Sequence, residues 1–214
     1  GLIEDPWNAP PEDAYMLTVS PDKAPDKPEE VSLTFEKGRP RTLNGKKMSG
    51  DELVLKLNQI AGPHGVGRVD LVENRRVGMK SRGLYETPGG TVIVEAMRAL
   101  EELVLDRETR HYREHLGLTF AELVYDGRWF TPLREALWVC ADKMAEDLEG
   151  EIVVRLYKGH ATAIKRKSPN SLYSEVFATF EKEEVYNQKD AEGFIKLLSL
   201  PERIRALKSK GGAK

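Results

Sequence analysis

The chain has 214 residues, 40% of them apolar and 32% charged, and a formal net charge of -2. That size and balance fit a soluble globular protein with one well-filled core, or one core with an extended arm, and near-neutrality gives no electrostatic case for a nucleic-acid partner. A single cysteine, Cys140, excludes an intrachain disulfide and fits a reducing compartment, while no apolar run approaches the ~20 residues a bilayer-spanning helix needs.

The N-terminus lacks the basic-then-apolar layout of a signal peptide, so a cytoplasmic protein with no membrane partner is expected. Opening on Gly1 is what a cut inside a longer protein would leave. Gly1 to Pro28 holds half of the chain's 12 prolines and many acidic residues, which predicts an extended connecting segment. Within it Tyr15 to Val19 reads as a short strand, and Trp7 and Tyr15 demand something to pack against. Val31, Leu33 and Phe35 then alternate with polar residues, and a second short run to Leu43 ends at Asn44-Gly45, which predicts a β-hairpin. Ser49-x-x-Glu52 is a capping box. It starts a helix with Leu53, Leu57 and Ile60 on one face, closed by Gly62-Pro63.

Gly65 to Thr91, GVGRVDLVENRRVGMKSRGLYETPGGT, is the most chemically crowded stretch. Val66 to Glu73 reads as a strand whose one face carries Val69, Leu71 and Glu73, since side chains alternate with a period of two. A carboxylate at the end of an apolar row needs a partner. Three readings stand open: an ion pair with Arg75, Arg76 or Arg82, capture of a ligand's cationic group with those arginines held elsewhere, or plain exposure. Tyr85 stands between Gly83 and Thr87-Pro88-Gly89-Gly90-Thr91, the start of a helix whose body runs from Val92 to Leu105. Unpaired N–H groups at such a start, with the helix dipole, favour an anion, and the Tyr85 hydroxyl can add a donor; the alternative is a ring in the core with its hydroxyl at the surface. Glu73 for a cation and Tyr85 for an anion would suit a zwitterion.

Helical periodicity continues through Val94, Met97, Leu100 and Leu103 or Val104, then Asp106 to Tyr125, then Leu133, Leu137, Cys140 and Met144, so Cys140 is expected as a small core residue. His111 and His115 have a metal-ligand spacing, but Tyr112 stands where the zinc-protease pattern demands glutamate, so no metal site is expected. Glu101 and Glu102 are adjacent and point to different sides of a helix, which makes no acid/base pair. Ile152 to Tyr157, the Gly159-His160 turn and Ala161 to Lys165 predict a second hairpin, with Lys165-Arg166-Lys167 as a solvated strand face. From Asp190 to Lys210, Phe194, Leu197, Leu198, Ile204 and Leu207 form one helical stripe broken at Pro201.

HGVGRVDLVENRRVGMKSRGLYETPGGT, with EDPWNAPPEDAY before it and FAELVYDGRWFTP, LYKG, SPNSLYS and QKDAEGFIK after it, resembles the C-terminal half of argininosuccinate synthase, in order over nearly the whole chain. The resemblance implies a ligase that condenses citrulline with aspartate at the expense of Mg-bound ATP, through a citrullyl-adenylate, to give argininosuccinate, AMP and pyrophosphate. It assigns citrulline binding to Glu73, in the V-E-N-R motif, and to Tyr85, in the G-x-Y-E-T-P motif. Arg76 departs from it, since the family usually has an apolar residue there. The family's ATP loop, Ser-Gly-Gly-x-Asp, and its aspartate contacts lie upstream of the matching part and do not occur in this sequence, and Gly78 to Gly83 lacks the Lys and Ser/Thr of a P-loop. No cofactor site and no turnover are therefore expected from this chain alone. Family members are homotetramers, which favours a neighbouring subunit as the cover for the C-terminal stripe.

The expectation is an α+β fold, with an antiparallel or mixed sheet, packed helices and a C-terminal helical arm. Residues 1–28 are expected to connect to a nucleotide-binding domain, 29–188 to form the citrulline-binding domain and 189–214 the oligomerisation helix. A free-standing amino-acid-binding module and a structural oligomerisation domain remain alternatives.

Overall fold

Alternation builds the main sheet. In strand β1 (Glu29–Glu36) Val31, Leu33 and Phe35 are buried while Glu30 and Glu36 face outward. β1 pairs antiparallel with β2 (Arg39–Leu43) on one side and β6 (Gly150–Tyr157) on the other, which sets Val31 against Val154 and Leu33 against Ile152. β3 (Lys46–Lys47) and β7 (His160–Lys167) complete the order β3-β2-β1-β6-β7, every pair antiparallel. The two hairpins read separately in the sequence thus share one sheet. Lys165, Arg166 and Lys167 are exposed on β7 and pair with Glu30 and Glu151 of the sheet and with Glu102 of the helix Pro88–Val104, so the basic run is neutralised.

The computed structural model describes residues 1–175, 187 and 189–211, as two compact units, Gly1–Leu172 and Tyr173–Lys214. In the first unit helix α1 (Gly50–Ala61) starts at the expected capping box, with the Ser49 N–H donating to Glu52 Oε2 at 3.1 Å, and buries Leu53, Leu57 and Ala61. Helix α2 (Pro88–Val104) packs on α1, β6 and β7 through Val92, Ala96, Ala99, Leu100 and Leu103. These residues and the inner face of the sheet form the core.

Helices α3 (Arg107–Tyr125) and α4 (Pro132–Met144) pack on each other. Consequently α3 buries only Leu116 and Leu123, and α4 buries none of its side chains. Cys140 is half-buried on α4 and not in the core as the periodicity suggested, because its stripe meets a helix and not the sheet. Val94 and Leu133, read as part of buried stripes, are exposed for the same lack of a covering layer. Glu101 is buried and accepts from Arg113 Nε at 2.6 Å, while Arg113 Nη1 donates to the Ala141 carbonyl at 3.0 Å, so one ion pair ties α2, α3 and α4 together. Glu102 faces Arg110 and Arg166 instead, and the adjacent carboxylates form no acid/base pair.

The second unit holds α5 (Lys189–Leu198) and α6 (Leu200–Gly211). The break falls at Ser199, not at Pro201: Pro201 lies in the first turn of α6, where its missing N–H removes no helical bond. Phe194, Leu197, Leu198, Ile204 and Leu207 are all exposed. Residues 176–186, 188 and 212–214, which complete the expected second and third segments, lie outside the described residues.

Candidate functional site

Between α1 and α2 the chain forms a separate two-stranded ribbon, β4 (Arg68–Asn74) and β5 (Lys80–Glu86). It begins two residues later than the pattern implied because Val66 and Gly67 are buried at its base. Gly67 has φ +92°, and a Cβ there would sit 2.6 Å from the Pro88 nitrogen, so only glycine lets the ribbon leave α2 so closely. The register runs from Arg68 opposite Glu86 to Asn74 opposite Lys80 without a shift.

One face of the ribbon carries Val69, Leu71 and Glu73 opposite Tyr85, Gly83 and Ser81. Tyr85 Oη donates to Glu73 Oε2 at 2.9 Å, and Ser81 Oγ donates to Glu73 Oε1 at 3.3 Å. The structure therefore brings the two sequence-predicted residues together on one surface. The hydrogen bond to Glu73, with partial desolvation and the carboxylate's charge, pushes the Tyr85 phenol above its ordinary range. Val69, Leu71 and Tyr85 are 37%, 38% and 44% exposed, so Tyr85 is not a core ring, while Glu73 at the end of the row is half-buried as expected. Among the described residues the ribbon pairs with no strand of the main sheet.

Two of the three arginines considered for Glu73 are engaged elsewhere. Arg82 lies on the opposite face, bidentate to Asp70 at 2.7 and 2.8 Å, and holds that carboxyl below its usual range. Arg76, the departure from the family pattern, pairs with Asp126 at the end of α3. Glu73 accepts from two neutral donors, Tyr85 and Ser81, and the third arginine, Arg75, lies near enough for its charge to act on the Tyr85 phenol, against the shift that Glu73 causes. Beside Asn74 a cleft of about 800 Å³ lies between the turn end of the ribbon and α3, lined by Arg76, Glu122, Tyr125 and Asp126. The Tyr85 hydroxyl runs back over Gly83 toward Glu73 and adds no donor to the start of α2, where the Gly89 N–H already donates to Asn58 Oδ1 at 2.7 Å. His111 and His115 are exposed on α3, and no cluster of three or more metal-ligating side chains occurs among the described residues.

The other face holds the N-terminal segment. Arg82 Nη1 donates to the carbonyls of Ile3, Asp5 and Asn8, and Arg68 reaches Glu12 and Thr18 with its guanidinium 4.0 Å above the Tyr15 ring. Tyr15 to Val19 is not the expected strand, because the N–H groups of Met16, Leu17 and Thr18 converge on the Glu86 carboxylate at 2.7, 3.0 and 2.8 Å instead of on a ladder partner. Burial pushes the Glu86 carboxyl up, but the Thr18 hydroxyl and those three N–H groups outweigh it and hold it below the usual range. This docking is therefore complete above the unfolded carboxylate pKa of ~4.3 and is lost as pH falls through the lower folded value. Glu86→Gln should remove about 1.5–3 kcal/mol of it, read as roughly 10- to 100-fold faster amide exchange at residues 16–18 at neutral pH. Unchanged exchange there would show that the segment is held by Arg68 and Arg82 alone.

Residues 1–205 match the family described as the arginosuccinate synthase C-terminal domain. The chain belongs to that family. It is 58% identical over 210 residues to the argininosuccinate synthase of Shewanella putrefaciens strain CN-32 and 59% identical to that of Shewanella loihica, in each case over 98% of this chain and 52% of the relative. The argininosuccinate synthase of Shewanella oneidensis gives 58% over the same shares. The chain spans about half the length of the curated relatives it matches. In this member of the argininosuccinate synthase C-terminal family the V-E-N and G-L-Y-E segments lie on the paired strands β4 and β5, so Glu73 and Tyr85, separated in sequence, meet on one face. Sequence reasoning missed Ser81 as a donor to Glu73 and Glu86 as the anchor of the N-terminal segment. The i, i+4 spacing of Ser81 and Tyr85 on one strand face was the available signal for the first, whereas nothing local marked the second.

Proposed function

We propose that this chain is the citrulline-binding part of an argininosuccinate synthase, an enzyme of arginine biosynthesis that joins citrulline to aspartate. The observation that carries the reading is the Glu73–Tyr85 pair, a carboxylate and a phenol 2.9 Å apart on an open face. An α-amino acid bears its ammonium and carboxylate on one carbon, so its head group needs an acceptor and a donor side by side. Glu73 would accept from the ammonium, and Tyr85 would turn its proton from Glu73 to the ligand carboxylate. The ureido side chain of citrulline would extend from that anchor to the reacting centre.

Mg-bound ATP would supply the activation of the ureido oxygen, leaving AMP and diphosphate. Gly78 is in the turn of the ribbon and Gly83 is in the β4–β5 ladder, so this glycine-rich run presents no phosphate loop before a helix. We place ATP and aspartate binding on parts of the enzyme outside the matched half, and expect no turnover from this chain alone. Assembly into a homotetramer in the cytoplasm belongs to the same proposal, supported by the exposed apolar stripe of α5 and α6, which requires cover. Calorimetric titration of the intact protein should give saturable binding of citrulline and none of its des-amino analogue. Equal binding of the two would remove Glu73 from head-group recognition.

A further inference from the structure

We infer that Gly83 is a positioning residue for the amino-acid ligand: its missing side chain gives the Tyr85 ring the space to lie along the ribbon and set its hydroxyl on Glu73. This rests on the citrulline reading above. A Cβ at Gly83 would stand 2.5 Å from Tyr85 Cε2 and 2.9 Å from both Cζ and Oη, closer than side-chain atoms tolerate. The usual reasons for a strand glycine do not apply. Its backbone does not require left-handed φ, and the β4–β5 register passes through Gly83, opposite Leu71, with no bulge. What needs glycine here is the aromatic ring two residues on, folded back over its own strand. Any Cβ would lift the ring, and lifting the ring moves the hydroxyl away from the carboxylate four positions along the opposite strand. The raised Tyr85 phenol, caused first by that hydrogen bond, is the reporter.

The test is Gly83→Ala in the intact protein, read three ways. Melting temperature should hold or rise, since alanine fits this backbone and restricts the unfolded chain. The Tyr85 phenol, followed by NMR with ring-labelled tyrosine and assigned by loss in Tyr85→Phe, should titrate closer to an ordinary tyrosine, as it should in Glu73→Gln. Citrulline affinity should fall roughly 10- to 100-fold, as in Tyr85→Phe, and Gly83→Ala added to Tyr85→Phe should cost nothing further. An unmoved Tyr85 titration in Gly83→Ala overturns the inference whatever citrulline does. Affinity kept in Gly83→Ala but lost in Tyr85→Phe overturns it too. Wild-type affinity in both Tyr85→Phe and Glu73→Gln overturns the citrulline reading and this role with it, and is told apart from the other failures by those two variants.

Discussion

Glu73→Gln is expected to weaken citrulline binding to the intact protein on the order of 100-fold, because the substitution keeps the shape of the side chain and removes the charge an ammonium would face. Its fold should survive. Glu73 is half-buried on the ribbon, where Tyr85 and Ser81 donate to it, and a glutamine oxygen can still accept from one of them. A structural ion pair would behave differently: had Arg76 or Arg82 neutralised Glu73, the glutamine would strand a cation and lower stability, but those arginines hold Asp126 and Asp70. The pH dependence separates the partners further. Since the Tyr85 phenol is raised, the pair that depends on its proton is complete below the ordinary tyrosine value near ~10 and is lost only as pH rises through the higher folded value. Binding should therefore show no phenol-linked decline below about pH 10 in wild type, and the onset should move down in Glu73→Gln. Unchanged citrulline affinity in this variant would leave Tyr85 without its proposed counterpart and end the head-group reading.

What the sequence disclosed follows from how local each signal is. Val31, Leu33 and Phe35 announced their strand because a period of two is set by the backbone, and Ser49 with Glu52 announced a helix start because both partners lie within one turn. Glu73 and Tyr85 were legible as a pair through family motifs and zwitterion chemistry, yet their direct hydrogen bond was not, since it depends on the β4–β5 register and on the space above Gly83. Tyr15 to Val19 had the composition of a strand. A carboxylate at the base of the ribbon, some 70 positions along the chain, took its N–H groups, and long-range competition of that kind leaves no local trace. Val94, Leu133 and Cys140 failed for a related reason: periodicity shows which side of an element is apolar, whereas burial depends on whether another layer lies against it.

Glu101→Ala should cost about 3–5 kcal/mol, because it leaves the largely covered Arg113 guanidinium between α3 and α4 without the Glu101 carboxylate. Among the described residues Arg113 then keeps the Ala141 carbonyl. A largely covered charge stripped of its partner loses the attraction that offset its desolvation, so the penalty exceeds what the ion pair contributes relative to a well-packed apolar pair. Glu101→Leu with Arg113→Met should accordingly recover most of the loss, and urea unfolding of the two single variants and the double would give the coupling between them. A loss below about 1 kcal/mol, the range of an exposed pair, would mean that solvent reaches Arg113 freely. The consequence reaches the candidate site. Asp126, just beyond the end of α3, pairs with Arg76 in the turn of the ribbon that carries Glu73 and Tyr85, and Tyr125 lines the cleft beside it. Loosening α3 from α2 should therefore weaken citrulline binding in step with stability, whereas Glu73→Gln should weaken it with stability held, and the contrast separates a residue that holds the scaffold from one that meets the ligand.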